Sequence, residues 1–325
     1  MSLVWSPDYN PPAQGHLIYT IDTTTGGTTP SNVDFNLRSF GTVDYRVVWD
    51  TSVEETSTSN TLLHTYGSAG TYDVQIFPTG TYRPFFNDVS ADVDQITKVS
   101  VGGAVELGTS LARAWFGADS MTEFECNFSA TSSVLDFFAT WRECTSLTSF
   151  PLIDTSSGTS FNNTWFNCSN LTNFPLLNSS LVTNFTSTWF NCSSLASFPA
   201  IDTSSVTSFV YTWYNCRSLT SFPAINTSSA TNFTSCWQGC GSLANFPANF
   251  FDASPCTNYT NAFYNCALTA QSVENILVSI ESAGTSNGTL GIDSGTNAAK
   301  TTWSSAATTA YNALVGRGWT IAFNP

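Results

Sequence analysis

Residues 141–164 read W-R-E-C-T-S-L-T-S-F-P-L-I-D-T-S-S-G-T-S-F-N-N-T, and residues 165–188 restate the pattern as W-F-N-C-S-N-L-T-N-F-P-L-L-N-S-S-L-V-T-N-F-T-S-T. The pattern recurs every 24 residues through the middle of the chain. A fixed period in the twenties is typical of repeat proteins, whose units stack and bury their apolar faces against each other. The sequence therefore predicts a solenoid here.

Three residue types keep this step through five successive units. They are Trp141, Trp165, Trp189, Trp213 and Trp237; Cys144, Cys168, Cys192, Cys216 and Cys240; and Phe150, Phe174, Phe198, Phe222 and Phe246, each followed by proline. Weaker copies flank the run, which predicts about seven units of 24 to 26 residues between residues 104 and 268. Large aromatics at the period of a core are expected inside it. An outward tryptophan column that stacks on sugar rings is the alternative.

The unit C-x-x-L-x-x-F-P-x-I-x-x-x-x-x-T-x-F-x-x-x-W-x-N resembles BspA-type leucine-rich repeats, the class also found in mycoplasma surface lipoproteins. The resemblance covers residues 104–268, and it departs from the family in placing tryptophan where phenylalanine is common. It implies an adhesin or another interaction surface.

Upstream of the repeats, alternating apolar residues around Phe35, Tyr45, Val74 and Ile96 predict short strands, and hence a β-sandwich over residues 31–103. The stretch from His64 to Val74 matches H-x-Y-x-x-x-G-x-Y-x-V, and so resembles Ig-like domains of the polycystic-kidney-disease (PKD) type. The glycine–aspartate–glycine turn of that family is missing. Residues 1–30, rich in proline, glycine and threonine, are expected to form an extended anchoring arm.

The last part of the chain, residues 269–325, leaves the repeat. Val273, Ile276, Leu277 and Ile280 have helical spacing after a cap at Thr269. A second helix is predicted over 298–315, with strands at 289–292 and 319–323. Because a solenoid needs an atypical terminal unit, we expect an α/β cap. The predicted fold class is mainly β throughout.

Composition excludes several functions. Charged residues make up 10% of the 325-residue chain, the net charge is −14, and Arg217 is the only basic residue between Arg142 and Lys300. Nucleic-acid binding needs clustered cations, so no nucleic-acid partner is expected. No apolar run is long enough for membrane insertion.

The first residues carry no basic and apolar secretory signal, although a low-charge repeat surface is typical of extracellular adhesive proteins. A bacteriophage virion protein reconciles the missing signal with the extracellular type of surface, because it leaves the cell by lysis. We therefore expect a virion surface protein, either a capsid decoration, a head fibre or a tail-fibre component. Its partners would be other virion proteins, bound through residues 1–100, and a host-surface glycan or protein, and it could form a homo-oligomer. A bacterial cell-surface adhesin is the alternative.

Nine cysteines raise the question of disulfides. Six of them, including Cys266, hold one place in the repeat, which indicates a column of buried thiols. Cys126, Cys236 and Cys256 fall outside it, and a Cys236–Cys256 pair is left open.

For function, the outward-facing Tyr211 and Tyr214 are the candidate ligand surface. The recurrent Asp154, Asn178, Asp202 and Asn226 are expected to cap turns rather than bind metal. We expect no catalytic residue, cofactor or metal, because His16 and His64 have no evident nucleophile and the acidic cluster Asp50, Glu54 and Glu55 suits a solvated hairpin tip. Rows of threonine hydroxyls leave ice binding as a minor alternative.

Overall fold

A computed structural model of the chain describes residues 16–24, 34–41, 43–49, 53–87, 93–103 and 105–325, and these form a mainly β protein. The strands are β1 (His16–Asp22), β2 (Asp34–Arg38), β3 (Tyr45–Val48), β4 (Glu54–Ser57), β5 (Thr61–Thr65), β6 (Thr71–Pro78), β7 (Phe86–Asn87), β8 (Ile96–Gly102), β9 (Trp115–Phe116), β10 (Glu123–Cys126), β11 (Asn258–Tyr259), β12 (Thr289–Ile292) and β13 (Thr320–Phe323). The helices are α1 (Ala270–Ser282) and α2 (Ser305–Gly316), with 3₁₀ turns at Val93–Gln95, Phe128–Thr131 and Lys300–Thr302.

The largest sheet has six strands in the order β10-β8-β1-β6-β3-β4. Strand β1 lies inside it, antiparallel to both β6 and β8, and buries Leu17, Tyr19 and Ile21. The expectation of an extended arm over 1–30 is therefore wrong for residues 16–22, because alternating apolar side chains fit β1 into a half-buried sheet. Residues 1–15 and 25–30 of that arm lie outside the described residues.

A second layer, the antiparallel pair β2–β5, packs on this sheet. The Phe35 ring on β2 lies 6.5 Å from the Tyr19 ring on β1 and 6.2 Å from the Phe86 ring, centroid to centroid. The strands expected around Phe35, Tyr45, Val74 and Ile96 are all present. Alternation of period 2 was sufficient to locate them.

Between residues 127 and 257, by contrast, the repeats contain turns and isolated bridges rather than strands. Parallel bridges join equivalent positions of successive units, as in Asn184 to Ser208 and Ser208 to Asn232. The spacing of Leu147, Phe150 and Ile153 is compatible with a short inward-facing strand, but no strand forms there. Each unit contains left-handed residues and a proline, so the chain changes direction before a ladder can lengthen.

Hydrogen bonds nevertheless join each unit to the next. The amide of Trp165 donates to the Thr188 carbonyl at 2.9 Å, and that of Asn167 donates to the Phe190 carbonyl at 2.7 Å. The buried Thr188 hydroxyl donates to the carbonyls of Phe161 and Phe185 at 2.9 and 2.8 Å. The same two carbonyls also accept from the backbone amides of Thr164 and Thr188, at 3.2 and 3.1 Å, so neither carbonyl is buried unpaired.

Stacked aromatic rings fill the centre of the repeats. The six indoles of Trp115, Trp141, Trp165, Trp189, Trp213 and Trp237 are buried, and neighbouring centroids lie 5.5 to 5.7 Å apart. Each phenylalanine of the Phe-Pro pair packs at a steep angle on its tryptophan, as Phe198 does on Trp189 at 4.7 Å. The indole Nε1 atoms have no hydrogen-bond partner among the described residues. Ring packing, and not a hydrogen bond to the indole N–H, therefore holds the indole side chains in the column.

The C-terminal region extends the stack. Strands β11, β12 and β13 form a parallel sheet, and α1 and α2 pack together beside it. Thr269 caps α1 as predicted. Helix α2 begins later than expected, because residues around Trp303 are extended and Ser304 supplies the cap by accepting from the Ala307 amide at 3.0 Å. No helix in the described ranges is long and apolar enough to cross a bilayer.

Candidate ligand surface

A double turn around each tryptophan decides which side chains face outward. In the unit of Trp213, the residues two before and two after it, Tyr211 and Asn215, have left-handed φ angles of 55° and 58°. Equivalent positions in the other units are also left-handed. Asparagine tolerates this conformation better than most residues, which explains its recurrence two residues after the tryptophan. The turn holds the tryptophan inside and directs the next side chain outward.

These outward side chains form a second stack, which we call the outer aromatic row. It consists of Phe116, Arg142, Phe166, Phe190 and Tyr214. The rings of Phe166, Phe190 and Tyr214 are parallel within 4°, with successive centroids 4.5 Å apart. The Arg142 guanidinium lies 4.0 Å from the Phe166 centroid, which is a cation–π contact.

Tyr214 ends the row, since the next unit has Gln238 in its place. Tyr211 lies beside this end rather than on it: its centroid is 5.7 Å from that of Tyr214 and 6.4 Å from that of Phe190. Its ring is inclined at 72° to Tyr214 and is 39% exposed. The two tyrosines singled out from the sequence are therefore neighbours on one surface.

Stacking limits what the row can offer a ligand. The faces of Phe166 and Phe190 are covered by their neighbours, so these rings present only their edges. The face of Tyr214 toward Gln238 has no ring against it among the described residues, and Tyr211 stands outside the stack. A flat ligand would therefore meet the tyrosine end of the row.

Amide side chains border the row on one side. Asn167, Asn191 and Asn215 follow the three stacked rings in sequence, and the Asn191 amide donates to Asn167 Oδ1 at 2.6 Å. Gly239 continues this position, where a Cβ would stand 2.2 Å from Asn215 Oδ1. Glycine thus leaves the Asn215 amide its place beside Tyr214. Aromatic rings next to fixed amides are the usual composition of a site that binds a polar ring compound.

Sequence reasoning missed most of the row. Phe166, Phe190 and Arg142 were not singled out, although all follow a repeated tryptophan by one residue. The signal was present in the register: a large side chain follows the tryptophan in five successive units. Only the left-handed turn, which reverses direction on either side of the tryptophan, shows that these side chains share a surface.

The repeated tryptophans, cysteines and Phe-Pro phenylalanines all lie in the buried interior. Each thiol of the cysteine column donates to a tryptophan carbonyl of the preceding unit, as Cys192 does to Trp165 at 3.2 Å. The nine cysteines are free, Cys236 and Cys256 included. Burial raises the pKa of the Cys240 thiol to about 12, and those of Cys168 and Cys216 well above their ordinary value.

The buried thiols predict that the protein loses stability at alkaline pH. A thiol whose pKa is raised by folding favours the folded state below its unfolded pKa of about 9, and that stability is lost as the pH rises from there toward the folded value. We expect the free energy of unfolding to fall steeply above pH 9, as measured by urea titrations at successive pH values. Replacing Cys192 and Cys216 with alanine should make this decline shallower. An unchanged pH dependence in that variant would contradict the assignment.

The other residues considered from the sequence have structural partners. Asp154, Asn178, Asp202 and Asn226 each accept the amide two residues on, as Asp202 does from Ser204 at 2.9 Å, and this bond lowers the Asp202 pKa. Threonine hydroxyls of the surface rows donate to carbonyls, as Thr231 does to Thr207 at 3.1 Å. Across the described ranges, no three His, Cys, Asp or Glu side chains come together as metal ligands.

The candidates weighed for catalysis contact other side chains of the N-terminal layers. His16 begins β1, whereas the His64 ring stacks on Trp49 at 4.7 Å. Glu54 pairs with Arg46 at 3.2 Å, and Glu55 accepts the Trp49 indole N–H at 3.0 Å. Asp50, the third member of that acidic cluster, lies outside the described residues.

Comparison with known proteins gave no assignment: no family model, no curated protein and no solved structure matches the chain.

Proposed function

We propose that this is a non-enzymatic adhesion protein of a virion surface, in which the repeats display a glycan-binding surface at the tyrosine end of the outer aromatic row. The observation that carries the proposal is the pairing of Tyr211 and Tyr214 at 5.7 Å beside the asparagine amides. The apolar C–H face of a pyranose packs on an aromatic ring, and its hydroxyls bond to amides. Both kinds of group are provided here without a charged side chain in the row near Tyr214.

The finer fold belongs to the same proposal. We take residues 104–268 as a BspA-like leucine-rich-repeat solenoid, supported by the parallel bridges and the aligned interior columns. We take the two layers upstream as a PKD-like Ig sandwich, supported by their antiparallel pairing and by the contact of Phe35 with Tyr19. Strand β10 pairs with β8 in parallel, so the sandwich and the first repeat share a sheet.

A shared sheet suits a fibre or decoration protein, because the repeats then extend from the attached part without a flexible linker. Residues 1–100 would attach to capsid or tail proteins, and the repeats would project toward the host or shield the particle. A bacterial cell-surface adhesin of the same repeat class remains the second candidate, supported by the same low-charge surface.

Location and ligand are tested separately. Cryo-electron microscopy of particles from the source lysate, with mass spectrometry to identify the chain, should find density contacted by the N-terminal part. Finding the chain on cell envelopes and on no particle would favour the cellular adhesin instead.

The ligand test is a glycan array probed with the purified protein. Tyr211→Ala and Tyr214→Ala should each weaken binding to the selected glycan by about tenfold or more, since each removes a stacking surface. Tyr264→Ala is the matched control. Tyr264 occupies in a later unit the position that Tyr214 occupies in its own, and its exposure of 37% is close to the 39% of Tyr211. It lies beyond Gln238, and so outside the outer aromatic row. Equal losses in all three variants, or none, would refute the glycan site.

A further inference from the structure

The N-terminal layers carry a second surface, built where residues 38–40 pair with residues 83–85. Ser39 bridges Pro84 in antiparallel fashion; the Phe40 amide donates to the Arg83 carbonyl at 3.0 Å and the Phe85 amide to the Arg38 carbonyl at 3.4 Å. Alternation sends one set of side chains inward: Leu37, Ser39, Tyr82 and Phe86 are buried. The other set faces out.

The outward set combines guanidinium groups with exposed apolar side chains. We call it the Arg–Phe face, and it comprises Arg38, Phe40, Leu63, Arg83 and Phe85. Leu63 joins it because β5 pairs Leu63 with Asn36, two residues before Arg38 on the same side of β2. Phe40 is 54% exposed and Leu63 is 60% exposed.

The Arg83 guanidinium is held in place on this face. It lies 4.5 Å from the Phe40 centroid and 5.9 Å from that of Phe85, and one Nη donates to the Ala112 carbonyl at 3.4 Å. The two phenyl rings contact each other at 5.5 Å. A cation fixed by rings and by one carbonyl loses little freedom when a ligand binds.

Charge pairing distinguishes these two arginines from other cations of the protein. Arg46, Lys98, Arg142 and Arg317 each form an ion pair with a glutamate. Arg38 and Arg83 form none within the described ranges, and the Nε atom of each is buried without a hydrogen-bond partner there. The nearby Asp136 already accepts from the Phe138 amide and the Ser110 hydroxyl. Arg217 and Lys300 also form no ion pair in the described residues, but Arg38 and Arg83 lie together on one face with exposed apolar side chains.

We infer that the Arg–Phe face is a docking surface for a carboxylate-bearing segment of another protein. Guanidinium groups bind carboxylates with two parallel hydrogen bonds, and their charge is not neutralised here by an ion pair within the described ranges. Arginine and phenylalanine are also enriched at protein interfaces. The identity of that protein as a particle component rests on the proposed function, whereas the carboxylate chemistry does not.

A protein partner fits this face better than a nucleic acid does. A phosphate backbone needs a row of cations, whereas this face has two guanidiniums in a chain of net charge −14. The exposed phenyl ring and leucine give an apolar side chain of the partner a place to pack next to its carboxylate.

The test is a titration of the intact protein with the peptide acetyl-Leu-Glu-Leu-Glu-Leu-Glu-amide, followed by NMR of the arginine Nε–H signals. The expected result is a saturable shift of the Arg38 and Arg83 signals in the millimolar range, with Arg142 and Arg317 unmoved. The same peptide with glutamine in place of glutamate should bind at least about tenfold more weakly. Shifts equal at all four arginines, or no saturation, would overturn the docking surface.

Variants provide a second measurement. Arg83→Gln and Arg38→Gln should each reduce peptide affinity by about tenfold, while Arg46→Gln, which removes a cation already paired with Glu54, should not. Circular dichroism of each variant checks folding. Equal loss in the Arg46 variant, or preferential binding of a nucleotide or of a sialylated sugar over the peptide, would also overturn the proposal. None of these measurements involves Tyr211 or a virion. A negative result here would therefore not refute the glycan site, and a negative glycan array would not refute the Arg–Phe face.

Discussion

Replacing Trp189 with alanine should lower the free energy of unfolding by about 3–5 kcal/mol, the range for removing a large aromatic from a packed core. Its indole stacks between Trp165 and Trp213 at 5.7 Å on each side and is met at a steep angle by the rings of Phe174 and Phe198. The cavity would sit mid-column, where neighbours on both sides are themselves fixed by stacking and cannot collapse into it.

Urea unfolding followed by circular dichroism measures this loss. Trp189→Phe is the matched control, because the column itself ends in Phe263, which stacks on Trp237 at 5.0 Å. Phenylalanine should therefore cost clearly less than alanine. Because repeat proteins lose cooperativity when one interface is weakened, a second transition is also expected for the alanine variant. A loss below about 1 kcal/mol would show that the column is not the main source of stability.

Replacing Gly291 with alanine should lower the free energy of unfolding by about 1–3 kcal/mol, the cost typical of overpacking. Gly291 lies on β12, between β11 and β13, and a Cβ there would stand 2.7 Å from the Asn261 nitrogen and 2.8 Å from its Cα. Both atoms belong to the backbone, so the neighbouring turn must move as a whole. The contact between the last repeat and β12 would open.

Gly316→Ala is the control for this change. Gly316 ends α2, and nothing lies within 4 Å of a Cβ placed there. Thermal unfolding should show a lower melting temperature for Gly291→Ala and no such decrease for Gly316→Ala. Equal melting temperatures in the two variants would mean that β12 shifts without cost.

Local sequence signals located many of the elements of this protein. Period-2 alternation was sufficient for the strands of the N-terminal layers, and helical spacing with Thr269 as a cap was sufficient for α1. The 24-residue period alone aligns Trp189 with Trp165 and Trp213. Such signals can be read from the sequence because buried apolar residues recur with the period of the strand, helix or repeat that contains them.

Other features required contacts between distant residues. Residues 16–22 carry alternating apolar side chains, yet their place inside the sheet depends on pairing with β6 and β8, whose nearest paired residue, Thr71, lies 49 positions after Asp22. The sequence of the repeats is compatible with short strands. Left-handed residues on both sides of each tryptophan, however, turn the chain away, so that the backbone pairs between units mostly as isolated parallel bridges. A sequence does not display the sign of φ when serine, alanine or tyrosine adopts it.

The same division applies to the two surfaces. The sequence by itself determined the repeated unit, the aromatic interior and the scarcity of positive charge, because composition and period are properties of the chain. Only the tertiary structure shows that Phe166, Phe190 and Tyr214 stack outside, and that Arg38 and Arg83 share a face without forming an ion pair in the described residues. The physical reason is that a surface forms where separate turns and strands meet side by side, and only the completed hydrogen-bond register sets which side chains become neighbours.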